Sequence, residues 1–181
     1  AAHALAQAPP APPPAEPPPT PLPAEYSDAS RKAYAAGLKE ARELIAQKRY
    51  DEAIARLDAL SRERPREPQA RFLKSVAQSE AGRPDDAVAT LTALAADFPE
   101  MPEVHNNLAV IYAARGGLEL AKAELELAIA ASPDYAPAVE NLGDVYARLA
   151  ARQYERAAAL EKGKGLAPAK LKLVRDALAV H

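Results

Sequence analysis

Few side chains in this sequence could move a proton, attack a carbonyl or hold a metal. Its three histidines, His3, His105 and His181, are scattered, and two of them stand beside the chain ends. There is no cysteine, which excludes disulfides, thiolate metal sites and a cysteine nucleophile. No glycine-rich phosphate loop, His-Glu-x-x-His pair or nucleophile elbow occurs. The carboxylates Asp85-Asp86 and Glu124-Glu126 fall at a helix start and on an expected solvated face, where acidic residues are ordinary. These residues predict no catalysis, no cofactor and no metal. The chemistry that remains is hydrogen bonding. Asn107 and Asn141 stand 34 residues apart in helical contexts, although asparagine costs roughly half a kcal/mol there relative to alanine. An asparagine amide can donate to and accept from a peptide backbone at once.

The elements around them are helices. In residues 102–135, Val104, Leu108, Ile111 and Tyr112 recur at helical steps, as do Leu118, Ala121, Leu125, Ala128 and Ile129. Gly116-Gly117 separates the two runs and Ser132-Pro133 ends the second, because glycine takes the positive φ of a tight reversal and proline lacks a donor. Neither helix can bury its apolar stripe alone. The hairpin predicts neighbours of its own kind.

The period supplies them. Pro65, Pro99 and Pro133 are 34 residues apart, as are Ala53, Ala87 and Ala121, and Leu57, Leu91 and Leu125. A small residue at the alanine position lets two helices cross closely, and the leucine fills the space beside it. His105-x-x-Leu108-Ala109-x-x-Tyr112, Ala121-x-x-x-Leu125 and Pro133 together resemble the tetratricopeptide repeat (TPR) signature, with histidine for its usual tryptophan. Val139-x-x-Leu142-Gly143-x-x-Tyr146 restarts it one period on. The resemblance covers roughly residues 34–162. It implies an all-α, right-handed α-solenoid of about four TPR-like helical hairpins, at about 34–67, 68–101, 102–135 and 136–162, with a capping helix in 166–181. His105, in the place of a packing aromatic, is expected as a partly buried core residue.

The fourth unit departs from the pattern. Its turn should fall near Ala150-Ala151, where there is no Gly, Asn, Asp or Pro. Leu142, Val145, Tyr146, Leu149, Gln153, Ala157 and Leu160 hold one helical stripe instead. The expectation is one long helix to about Lys162, ended by Gly163 and Gly165. Ser27 or Ser30 is expected to cap the first helix, and a last helix, Ala169 to Ala179, to close the stack.

Outside the solenoid, 27–181, the composition changes. Residues 8–23 hold ten of the 18 prolines and a single charge, so the segment 7–26 reads as an extended polyproline spacer. An SH3-type ligand is the less favoured reading of it. In residues 1–6, Ala4-Leu5-Ala6 matches the small-x-small pattern of a secretory cleavage site and predicts the remnant of a signal peptide. The expected location is therefore periplasmic or secreted, with cytoplasmic as the alternative. The resemblance is then to exported bacterial TPR proteins. A net charge of −2 argues against a nucleic-acid partner, and no apolar run is long enough for a transmembrane segment.

The resemblance also places a ligand groove. In TPR proteins the first helix of each repeat lines the concave face. Here its stripe is Glu103, Asn107, Val110 and Ala114 with Asn106 beside it, then Pro137, Asn141, Asp144 and Arg148 with Glu140. Earlier repeats offer Lys39 and Arg42, then Gln69, Phe72, Leu73 and Val76. Asn107 and Asn141 match the asparagine ladder with which some TPR proteins hold extended peptides. The alternative is that they bond within the repeats or face water. The carboxylate clamp of chaperone-binding TPR domains is not matched, because its places hold Leu38, Arg42, Leu73 and Glu103. The expected ligand is an extended segment, acidic toward Lys39 and Arg42, apolar in the middle and basic toward Glu140 and Asp144. The expected role is a non-catalytic interaction module or scaffold of the cell envelope, with a protein or extended peptide as partner. Two alternatives accompany it: a self-assembling protein whose groove takes its own linker or a neighbouring copy, and an adaptor beside a cell-wall enzyme.

Overall fold

The computed structural model describes residues 27–179, so the signal-peptide and proline-spacer expectations lie outside the described residues. Eight helices follow one another among these residues: α1 Asp28–Ala46, α2 Tyr50–Glu63, α3 Pro68–Glu80, α4 Pro84–Asp97, α5 Pro102–Ala114, α6 Leu118–Ala131, α7 Ala136–Leu160 and α8 Ala167–Leu178. Ser27 caps α1, its Oγ accepting from the Ser30 amide at 3.2 Å. Prolines open α3, α4, α5, α7 and α8, where their missing donor is no loss. Pro168 explains why α8 begins at Ala167, two residues ahead of the expected start.

Each helix packs on the next in sequence, with further contact between α1 and α3 and between α5 and α7. That nearest-neighbour pattern is the mark of a solenoid. The buried triplets Ala53-Leu57-Leu60, Ala87-Leu91-Leu94 and Ala121-Leu125-Ala128 repeat one period apart, each side chain all but inaccessible. The three tight turns repeat too. Lys48, Gly82 and Gly116 all take positive φ, at 58°, 73° and 78°. The amide after each of them bonds back to a carbonyl five residues earlier at 2.9 Å (Arg49 to Leu44, Arg83 to Gln78, Gly117 to Tyr112).

The next residue in that phase is Ala150, and there the chain does not turn. α7 runs through it for 25 residues, as its missing turn residues predict. It ends where Lys162 and Gly163 take φ of 51° and 76°. The stack is therefore three hairpins, one long helix and α8. α8 lies back on the second half of α7, with Arg175 Nη2 2.6 Å from Glu155 Oε1 and Lys170 over the Tyr154 ring.

At the other end Tyr34 is buried beneath the Arg64 guanidinium, 4.9 Å from its ring centre. Burial pushes the Tyr34 phenol above its ordinary value of about 10. Burial, with Glu103 adding a little, does the same to Tyr135. A phenol raised in the folded state stabilises the fold below the unfolded value and loses that contribution as pH rises through the folded one. Stability should thus fall above about pH 10, and Tyr34→Phe should reduce the fall. Urea midpoints of both proteins at neutral pH and near pH 11 check this.

A candidate peptide-binding groove

The groove is built from three helices one repeat apart. From α3, Val76 and Ser79 project beside Asn107 and Val110 of α5, around a hollow of about 180 Å³ also lined by Leu91 and Ile111. Between α5 and α7 lies a second hollow of about 220 Å³, floored by Ala109, Ala113, Leu125 and Val145 and rimmed by Asn141, Asp144 and Arg148. Val110 lines both hollows and is 50% exposed, forming an apolar ridge between them. The floors are apolar because alanines at the helix crossings leave space that larger residues would fill. Asp144 and Arg148 add both signs of charge at the rim of the larger hollow.

The two asparagines are not equivalent. Asn141 Nδ2 donates to Asn106 Oδ1 at 2.8 Å, across the interface of α5 and α7. Asn106 is buried, so this bond satisfies an acceptor with little access to water. Asn141 keeps its carbonyl and one N–H for a ligand. Asn107 lines the smaller hollow, and its side chain makes no hydrogen bond to another described residue. Asn141→Ala should therefore lower stability by about 1–3 kcal/mol, by orphaning the Asn106 acceptor. Asn107→Ala should be nearly neutral, and thermal unfolding of the two variants checks the contrast.

Of the residues expected from the sequence, Val76, Asn107, Val110, Asn141, Asp144 and Arg148 come together around the two hollows. Phe72 and Leu73 do not join them. Adjacent on α3, they pack to opposite sides, Phe72 on the α4–α5 core and Leu73 on the α1–α2 core, because α3 is shared by two repeats. Lys39, Arg42, Gln69 and Glu140 are exposed and line neither hollow, and Lys39 lies 3.7 Å from Glu43. Ser79 and Glu80, missed from sequence, follow Val76 by three and four residues and so share its face. His105 is buried as expected, but its partner is a surprise. Its Nδ1 lies 2.8 Å from Glu124 Oε2, which makes Glu124 a half-buried tie between α5 and α6 rather than a residue of the solvated face. Among the described residues no three His, Cys, Asp or Glu side chains gather as metal ligands, and no helix is long and apolar enough to cross a membrane.

Comparison with known proteins agrees with this architecture. Two profiles described as tetratricopeptide repeat match residues 38–78 and 78–144. No curated protein matches. Among solved structures, a thermophilic TPR protein of Thermus thermophilus is 25% identical, with a TM-score of 0.59 over 81% of this chain and 83% of its own. The first TPR of Spaghetti (RPAP3), bound to an HSP90 peptide, is 18% identical, with a TM-score of 0.58 over 66% and 94%. The Yersinia enterocolitica type III secretion chaperone SycD, in complex with a peptide of the translocator YopD, is 15% identical, with a TM-score of 0.59 over 67% and 98%. With its 34-residue period, its stacked hairpins and these matches, the chain belongs to the tetratricopeptide repeat family.

Proposed function

We propose that this chain is a non-catalytic protein-interaction module that holds an extended peptide segment along the groove of α3, α5 and α7. One observation carries the reading: the half-exposed Val110 ridge parts two apolar hollows, and each hollow has an asparagine amide at its edge. Two hollows across one ridge suit two apolar side chains of an extended ligand, while the amides bond the backbone between them. Two proteins of similar fold hold peptides, which supports this choice of ligand. Asp144 and Glu140 favour a basic residue at the α7 end, and Lys39 and Arg42 favour acidic ones beyond α3.

The groove's place of work is the bacterial cell envelope on this reading, supported by Ala4-Leu5-Ala6 ahead of the proline tract. The tract would space the solenoid from its attachment. A random-peptide display library panned against the full chain tests the groove. The enriched peptides should share two apolar positions. Asn107→Ala should weaken calorimetric binding of the best of them by roughly three- to tenfold without loss of fold. Enrichment of folded helices, or wild-type affinity in that variant, would remove the backbone-holding role.

A further inference from the structure

One face of α7 has the sequence of a covered face and, among the described residues, no cover. Val139, Gly143 and Tyr146 stand one period after His105, Ala109 and Tyr112, which α6 packs against. Ala109 is buried, yet Gly143 is exposed and a Cβ built on it would meet open space. Val139 and Tyr146 are 50% and 48% exposed. The helix that would have covered them is absent because α7 continues straight through Ala150, and α8 sits on the far half.

The stripe runs the full helix. Val139, Gly143, Tyr146, Ala150, Gln153, Ala157 and Leu160 follow at alternating steps of four and three, the spacing of a two-helix seam. Leu160 at its end is 76% exposed. Large residues (139, 146, 153, 160) alternate with small ones (143, 150, 157), and the order reads almost the same from either end about Ala150. A stripe with that symmetry complements itself when reversed. Set antiparallel, Gly143 faces Ala157, Tyr146 faces Gln153 and Val139 faces Leu160, with Ala150 on the twofold axis.

We infer that α7 pairs antiparallel with α7 of a second copy of this chain. Closure within one chain would need α7 to break at Ala150, in the interior of a 25-residue helix; pairing between copies keeps the helix intact. At about 100° per residue the seam lies roughly opposite Asn141, Asp144 and Arg148, so the pair leaves both grooves open.

Sedimentation equilibrium of the full chain, from micromolar to millimolar, tests the pairing. The mass should rise from 19.2 kDa toward twice that value. Gly143→Arg fills open space in the single chain, so it should keep its helical signal while weakening association at least tenfold. Ala150→Cys supplies the only cysteine, on the twofold axis, and should give a disulfide-linked dimer under mild oxidation. A single-chain mass at every concentration would overturn the inference. So would a dimer that Gly143→Arg leaves intact, or one that stays without a cross-link in the Ala150→Cys variant.

Discussion

Ala151→Pro should destabilise the protein by about 3 kcal/mol or more in urea unfolding. Ala151 is buried in the interior of α7, more than two turns from either end. Proline there removes the bond from its amide to the carbonyl of Ala147 and drives its ring into that same carbonyl. The damage would spread, because the half of α7 beyond it holds α8 through Glu155 and reaches the α5–α6 turn, where Arg152 Nη2 donates to the Gly116 carbonyl at 2.7 Å. Were the chain to turn near Ala150 as it does at Lys48, Gly82 and Gly116, the same substitution would be nearly neutral. An unchanged midpoint would therefore replace the long helix with a fourth hairpin.

Leu125→Ala should lower stability by about 2–5 kcal/mol. Leu125 is 1% exposed, packs among Ala109, Ala121, Ala128 and Val145, and floors the larger hollow. Truncation removes its transfer free energy and enlarges a space that the surrounding alanines cannot collapse to fill. Because each repeat leans only on its neighbours, the loss should appear first in the α5–α7 end of the stack. Thermal unfolding measures the total, and hydrogen exchange by segment locates it.

The fold was legible because its period is carried by residues with one physical job each. Ala53, Ala87 and Ala121 allow close crossings, the leucines four residues later fill them, and prolines end the second helices. The straight α7 was legible from an absence, the missing turn residues at Ala150. The lining of the candidate groove was legible only in part. A stripe drawn at helical spacing finds Asn107, Val110, Asn141, Asp144 and Arg148, but it cannot separate the adjacent Phe72 and Leu73, which turn into two different cores. Nor does it reveal that Asn106 reaches Asn141, since that bond depends on how two repeats are offset in the stack. The tie of His105 to Glu124 is hidden for the same reason, as it joins two helices across a crossing.

The proposed peptide site along α3, α5 and α7 is tested most directly by titrating one selected peptide into two charge-bearing variants. Val110→Glu puts a carboxylate on the ridge between the hollows, and Leu127→Glu puts one on α6, at a leucine that is 51% exposed and lines neither hollow. Both sites face solvent, so both variants should fold. Binding measured by calorimetry should fall at least tenfold for Val110→Glu, about 1.4 kcal/mol, and stay at the wild-type value for Leu127→Glu. Wild-type affinity in Val110→Glu together with a loss in Leu127→Glu would put the ligand on the outer helices and contradict the groove.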